Sequence, residues 1–431
     1  MKYPYYTSLL LGLSQSLPSA AASIATLYAT HYSTGSVYSL SLDRATNGSY
    51  SLSIASSLKT CGPYPSWVTF DAATRTLYCS DENGGRSTNG SLTALAAPQG
   101  DGMLAELART DAAPGGGVNS VIYEDGRGGK YLAIAHYAGS ALSTFSLPIS
   151  SSSSSAAAAD PLQVFPFQLS SSPGTVPDRQ EAPHPHQTLL DPTGAYVLVP
   201  DLGADLVRVF AIDKQSGQLT SCPSLPYTPG GGPRHGVFAA GGPVSRVKGH
   251  KPPPAEGQTI LYVAGELNKE VEAFVVSYPL PSDKTATTTT TTTPGCLSFN
   301  RIQSLTPYPD PGLPAGASLA EIRLVRDHVY VSVRLDGAFP PDDSVATLNR
   351  HRNGTLRLDE ITSSYGVMPR TMAVNKAGNL VAVGNQLSST VAIVPRDVVT
   401  GKLGEALAVL QVGVPGQPDT MEGLSSVIWA E

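Results

Sequence analysis

The sequence predicts an all-β fold, a single seven-bladed β-propeller whose ring is closed by a C-terminal strand completing the N-terminal blade. Three observations carry this expectation. A pair of short strand segments joined by a polar turn returns six times along the chain. The composition is that of brief strands and tight turns, with 42 Gly, 36 Pro and only 14% charged residues, while Ser, Thr, Val and Tyr recur in alternating runs. At 431 residues the chain is also long for one unrepeated core, so a small unit stacked on copies of itself accounts for its length.

Taken in order, the segment 26–58 reads as a first blade that lacks an inner strand. The pattern then appears at 67–71 with 76–80, 120–124 with 131–136, and 187–191 with 196–200. It returns at 235–238 with 260–264, 321–325 with 328–333, and 371–375 with 380–384. Seven blades result, each of about 40 to 45 residues once insertions are set aside. The segment 424–429 has strand character but no blade of its own. An open ring would leave strand edges unpaired, so this segment is expected to supply the inner strand of the first blade. Low-complexity insertions at 150–159 (Ser/Ala), 249–257 (Pro-rich) and 287–293 (Thr) read as outer loops without side chains for chemistry.

Residues 1–22 differ from the rest. Lys2 precedes Leu9, Leu10, Leu11 and Leu13, and the small residues Ser19, Ala20, Ala21 and Ala22 follow. This reads as a secretory signal peptide cleaved near Ala22, leaving 23–431 as one propeller domain. The apolar run is too short to span a bilayer as a helix, so no membrane partner is expected. Export agrees with three Asn-x-Ser/Thr acceptor sites, Asn47, Asn89 and Asn353, each in an Asn-Gly turn between strand-like segments. Four cysteines, Cys61, Cys79, Cys222 and Cys296, lack Cys-x-x-Cys spacing, which speaks against a zinc knuckle and suits pairing in an oxidising compartment. Cys61 and Cys79 flank one strand turn and are the expected pair. The formal charge of −6, with no Lys/Arg cluster, excludes nucleic acid as a partner.

In a propeller, the turn entering each inner strand and the end of each second strand lie near one mouth of the channel, where polar residues from several blades converge. The entry turns carry His184 and His186 in APHPHQ, Arg234 and His235 in GGPRH, and Arg370 in MPR. The second-strand ends carry Glu82 in SDENGG, His136 and Tyr137 in AHYAG, Glu266 in AGELN, Arg334 in SVRLDG and Gln386 in GNQLSS. Guanidinium groups grip carboxylate or phosphate in a bidentate manner, and His186 with Glu266 can move protons near neutral pH. His184, His235, Arg370, Gln386, Glu82 and Tyr137 are expected to line the substrate pocket. Any one of these residues has an ordinary structural use, an Arg capping carbonyls or a His satisfying a loop. Their repetition at equivalent positions is what points to a site for a small anion. No Ser nucleophile elbow is present. A metal held by His184, His186, His235 and Glu266 suits the ligand chemistry, but Pro185 constrains the first two and the arginines would repel a cation. No metal and no organic cofactor is expected.

The segments HPHQTLLDPTGAYVLVPDLGADLVRVF (184–210), GGPRHGVF, YVAGELNKEVEAF, AEIRLVRDHVYVSVR and MPRTMAVNKAGNLVAVGNQLSSTVAIV follow one another in this order. Together they resemble the seven-bladed lactonase family, which includes propeller-type bacterial 6-phosphogluconolactonases and fungal carboxy-cis,cis-muconate cyclases. The resemblance runs from about residue 26 to the C-terminus. It implies that His186, Arg234, Glu266 and Arg334 occupy the positions of the cyclase active site, with Arg370 and Gln386 at further channel-facing positions. The signal-like segment and the long insertions depart from familiar members and argue against cytosolic sugar-phosphate metabolism. The expected activity is metal-independent opening or closing of a lactone on a small carboxylate-bearing molecule. Arg234 and Arg334 would hold the carboxylate and the developing oxyanion, His186 would act as general acid or base, and Glu266 would orient or relay. The alternatives are a lactonizing cycloisomerase acting on an unsaturated diacid, and a non-catalytic propeller that binds an anionic sugar or a protein partner.

Overall fold

The computed structural model describes residues 22–98, 103–149, 160–170, 174–241, 257–279 and 295–431. The signal-like segment up to residue 21 and the Ser/Ala and Thr insertions lie outside the described residues, as does the Pro-rich insertion up to residue 256. Among the described residues, twenty-eight strands form seven four-stranded antiparallel sheets and no helix occurs. The inner strands are Pro65–Asp71, Gly117–Glu124, Leu189–Leu190, Pro233–Ala239, Ser318–Val325, Pro369–Val374 and Leu424–Trp429. They neighbour one another in a closed ring around the channel.

Burial explains why these segments read as they do. Second strands such as Thr76–Asp81, Tyr196–Asp201 and Leu380–Asn385 are buried at every position, because neighbouring blades cover both faces. They are accordingly Val-, Leu- and Tyr-rich without alternation. Outermost strands have one wet face, and Gln163–Pro166 and Ala408–Gln411 alternate strictly. The core is divided into seven apolar clusters, each lying between two adjacent blades. One of them joins Leu27, Leu40 and Leu42 of the first blade to Val391 and Ile393 of the seventh, and the C-terminal Leu424, Val427 and Trp429 belong to it.

The C-terminal strand closes the ring as the sequence predicts. Leu424–Trp429 runs antiparallel to Ala22–His31, with Leu27 opposite Trp429 and Ala29 opposite Val427. Cys61 is joined to Cys79 and Cys222 to Cys296. The acceptor residues Asn47, Asn89 and Asn353 are all exposed, each between two strands of one blade.

Two local devices aim side chains at one mouth of the channel. The first is a bulge at the start of the inner strand. In Pro65-Ser66, Pro233-Arg234 and Pro369-Arg370 the register skips the second residue of the pair. Proline suits a strand's first position because it has no N–H to donate to the ladder, and the bulge turns the following side chain away from the regular pleat. In the fourth blade Pro183 and Pro185 interrupt the ladder further. Only an isolated bridge from Pro185 to Asp201 survives, and His184 and His186 are carried on an extended segment ahead of a two-residue strand. The second device is a backbone lock. The N–H just past the second strand donates to the carbonyl just before the inner-strand entry. It recurs as Tyr32 to Gly423, Glu82 to Tyr64, Tyr137 to Gly116, Glu266 to Gly232 and Gln386 to Met368, at 2.7–2.9 Å. In these five blades the lock places two side chains side by side at the same mouth.

Candidate active site

Glu266 is the centre of the constellation. Its Oε2 lies 2.8 Å from Arg234 Nε and 2.9 Å from Arg334 Nη2, and its Oε1 lies 2.6 Å from Arg179 Nη2. Burial opposes the charge on Glu266, yet the guanidinium groups of Arg334, Arg234 and Arg179 outweigh it and hold the carboxyl far below the usual range. Glu266 is thus a permanent anion near neutral pH. Of the two expected roles, relaying protons or orienting its neighbours, a carboxylate held ionised between three guanidinium groups suits the second better.

Arg234 is 1% exposed. Although its Nε lies close to Glu266, the alignment is not that of a hydrogen bond, and neither Nε nor Nη1 has a hydrogen-bond partner among the described residues. Burial and the neighbouring Arg334 push its pKa down to about 9. Such buried, unsatisfied donors are costly. Arg334 is tethered by its Nε to Ser318 Oγ at 3.1 Å. Burial and the cationic neighbours Arg370 and Arg179 lower its pKa against the pull of Glu266.

His186 sits among these groups. Its ring packs edge-on to Tyr137 at 5.5 Å and to His235 at 5.2 Å between centroids, and Nδ1 is buried without a partner among the described residues. Burial, reinforced by Arg234, His235 and Arg370, pushes its pKa well below the usual histidine value, so the imidazole is neutral at pH 7. A neutral ring with a free nitrogen beside unpartnered guanidinium donors can take a proton from water while a negative charge develops next to it.

The remaining expected site residues divide. Arg370 reaches the group, donating from Nη2 to Tyr32 Oη at 2.8 Å and lying 3.6 Å from Glu82 Oε2. Glu82 is engaged in anchoring, since it accepts from Ser66 Oγ at 2.6 Å and from the Tyr32 hydroxyl. His184 braces rather than binds. It stacks on Tyr137 at 4.2 Å, with Nδ1 at the Tyr137 carbonyl and Nε2 at Glu181 Oε1. Gln386 Nε2 donates to the Glu422 carbonyl at 3.1 Å and so ties down the approach to the closing strand, leaving its Oε1 buried and unpartnered among the described residues. Tyr137 stands beside Glu266 and Arg179, and its pKa is raised by burial and by Glu266. His235 donates from Nδ1 to Glu321 Oε1 at 2.9 Å. His136 lies in the blade interior, with Nε2 2.7 Å from Ser143 Oγ. Among the described residues no group of three His, Cys, Asp or Glu side chains is arranged to hold a metal ion.

Sequence reasoning missed Arg179 and Tyr32. Arg179 lies in an insertion ahead of the fourth blade that has no counterpart in the other blades. It is positioned by the fully buried Gln180, whose Nε2 donates to Leu202 O and Asp205 Oδ1. Tyr32 had a signal. The dipeptide His31-Tyr32 repeats His136-Tyr137 at the same place in another blade.

Four guanidinium groups, those of Arg179, Arg234, Arg334 and Arg370, therefore meet two carboxylates, those of Glu266 and Glu82, around a neutral imidazole. The cluster thus carries more positive than negative groups at one mouth of the propeller channel. The model of the family described as "Lactonase, 7-bladed beta-propeller" matches residues 26–417. The chain belongs to that family. It is 35% identical over 218 residues to a protein of Arthroderma benhamiae described as "Probable 6-phosphogluconolactonase", a match covering 50% of this chain and 48% of the relative. The aligned region thus spans about half of that relative's length. A 6-phosphogluconolactonase of Formosa agariphila is 25% identical over 307 residues, covering 70% of this chain and 73% of the relative. Among solved structures, the periplasmic gluconolactonase of Pseudomonas aeruginosa superposes with a TM-score of 0.68 at 25% identity, covering 91% of this chain and 98% of that one.

Proposed function

We propose that this chain is a lactone hydrolase that opens the ring of a small sugar-type lactone bearing a phosphate or carboxylate, without a metal or organic cofactor. The observation that carries the reading is the pairing of buried, unpartnered donors on Arg234 with the neutral, unpartnered His186 nitrogen. In the proposed reaction His186 takes a proton from water as the water oxygen adds to the lactone carbonyl. Arg234 holds the resulting oxyanion, and as the ring C–O bond breaks the proton returns from His186 to the departing alkoxide. Arg334, Arg370 and the partly exposed Arg179 hold the anionic substituent. The names carried by the Arthroderma, Formosa and Pseudomonas relatives support this chemistry. We also propose that the protein is exported and glycosylated, which the exposed Asn47, Asn89 and Asn353 and the paired cysteines support.

The test is turnover of aldonolactones, phosphorylated lactones and muconate-type diacids by the purified protein, with His186→Ala alongside. Opening of an anionic lactone, reduced about 100-fold or more in the variant, is the expected result. Conversion of a diacid to a lactone with no hydrolysis would assign the protein to the cyclase reaction. An undiminished rate in the variant would remove His186 from the mechanism.

A further inference from the structure

Behind the arginine cluster lies a second buried pair that the proposed reaction leaves unused. Glu321, on the inner strand of the sixth blade, is fully buried, an expensive place for a carboxylate unless it is paired. Its Oε1 accepts from His235 Nδ1 at 2.9 Å and from the Ile322 N–H at 3.1 Å, and its Oε2 lies 3.4 Å from Arg323 Nη2. Because Glu321 is ionised and can only accept, the Nδ1 of His235 must carry the proton. With burial holding His235 neutral, its Nε2 is then a lone pair. The His235 ring lies 5.2 Å from that of His186, at 67° between planes, with Trp67 closing the other side at 6.1 Å.

The charged and titratable neighbours of this pair come from every blade around it. Glu321 and Arg323 belong to the sixth blade and Arg234 to the same strand as His235. His186 enters from the fourth blade, and Arg370 of the seventh acts on His186. Glu321 is the only carboxylate bonded to either imidazole among the described residues. Such an arrangement, a buried carboxylate fixing one ring nitrogen so that the other is presented in a defined protonation state, is what an oriented imidazole needs for proton transfer.

We propose that Glu321 is a positioning residue for the proton transfer: it locks His235 as the Nδ1–H tautomer, and His235 in turn fixes the ring and the proton affinity of His186. The proposal rests on the lactone-opening reading for its kinetic consequence, but not for its structural one. Glu321→Gln keeps a group able to accept from His235 Nδ1–H while removing the charge. Arg323 then loses its counter-charge and Arg234, still paired with Glu266, loses part of the surrounding negative charge, so both imidazoles become harder to protonate and His186 becomes a weaker base.

The experiment has two arms. In the first, ¹⁵N-histidine NMR of the wild-type protein reads the His235 tautomer, with assignment by His235→Asn. An Nδ1–H resonance protected from exchange is expected, and an Nε2–H tautomer would overturn the proposal even if Glu321→Gln failed to fold. In the second, Glu321→Gln is compared with wild type on an anionic lactone. The expected result is a fall in kcat of about 10–100-fold, little change in KM, and an acid limb of the kcat/KM profile displaced to lower pH. A folded variant with unchanged kcat and unchanged acid limb would mean that Glu321 serves stability alone. If no lactone is turned over by wild type, the hydrolase reading fails, and the tautomer measurement still decides the fate of the dyad.

Discussion

Glu266→Gln separates the two ways the central carboxylate could matter. In the wild type its two oxygens meet three guanidinium nitrogens at 2.6, 2.8 and 2.9 Å. The Arg179 side chain is 43% exposed, so its pair is screened and contributes little, on the order of 0–1 kcal/mol. The pairs with Arg234 and Arg334 are buried, and removing one partner of a buried pair costs about 3–5 kcal/mol because the other charge is left uncompensated. Glutamine fills the same space, so the loss is electrostatic rather than a cavity. Denaturant unfolding at pH 7 should therefore show destabilisation of about 3–5 kcal/mol. Inorganic phosphate should recover more of the loss in the variant than it adds to wild type, since an anion at 100 times its Kd contributes about 2.7 kcal/mol. A variant as stable as wild type, with no greater response to phosphate, would refute the assignment of Glu266 as the counter-charge of the cluster.

Three further outcomes follow from the same geometry. Arg234→Lys should lower kcat/KM by about 100- to 1000-fold, the usual cost of losing an oxyanion donor, while costing less stability than Glu266→Gln because a cation still faces the buried Glu266 carboxylate. A fall in stability proportional to the fall in activity would make Arg234 structural. Stability should be greatest above pH 6.5 and decline below it, since His136 (about 3) and His235 (about 4), with His186 also well below its usual value, stay neutral when folded but are protonated when unfolded. Each contributes a slope of about 1.4 kcal/mol per pH unit in that window, and flat unfolding free energies between pH 7 and 5 would contradict it. Deleting residues 421–431 should cost roughly 5 kcal/mol or more, because Leu424, Val427 and Trp429 are all buried at about 1.5–3 kcal/mol apiece. An unchanged denaturation midpoint would show that the ring does not depend on this strand.

Much of the fold was legible because a propeller writes the same constraint seven times. Buried second strands must be apolar throughout, as in Tyr196–Asp201, and the strand left over at 424–429 had one edge available to pair with. Arg234, Arg370 and His186 were legible for a related reason, since Pro-Arg and Pro-His recur where inner strands begin, and Arg334 because it ends a second strand. What each group does there was not legible. Whether Glu266 carries protons or pins arginines depends on three distances, one of them to Arg179, which belongs to no repeat. His184 and His186 are two residues apart, yet one ring is consumed by Tyr137 and Glu181 and the other is left with a free nitrogen. An extended segment turns residues two apart toward the same side, and both rings do meet Tyr137; the difference comes from the further neighbours each ring finds, which the residue types alone do not encode.

The central claim is that excess guanidinium charge at one channel mouth selects an anionic lactone and that His186 opens it. The most direct measurement compares kcat/KM for two lactones of the same ring, one bearing a phosphate or carboxylate and the other neutral. The account predicts that the anionic lactone is favoured at least about tenfold, the factor that 1.4 kcal/mol of extra transition-state binding would give, and that the preference shrinks as salt is raised. Equal turnover of the two, insensitive to salt, would contradict it.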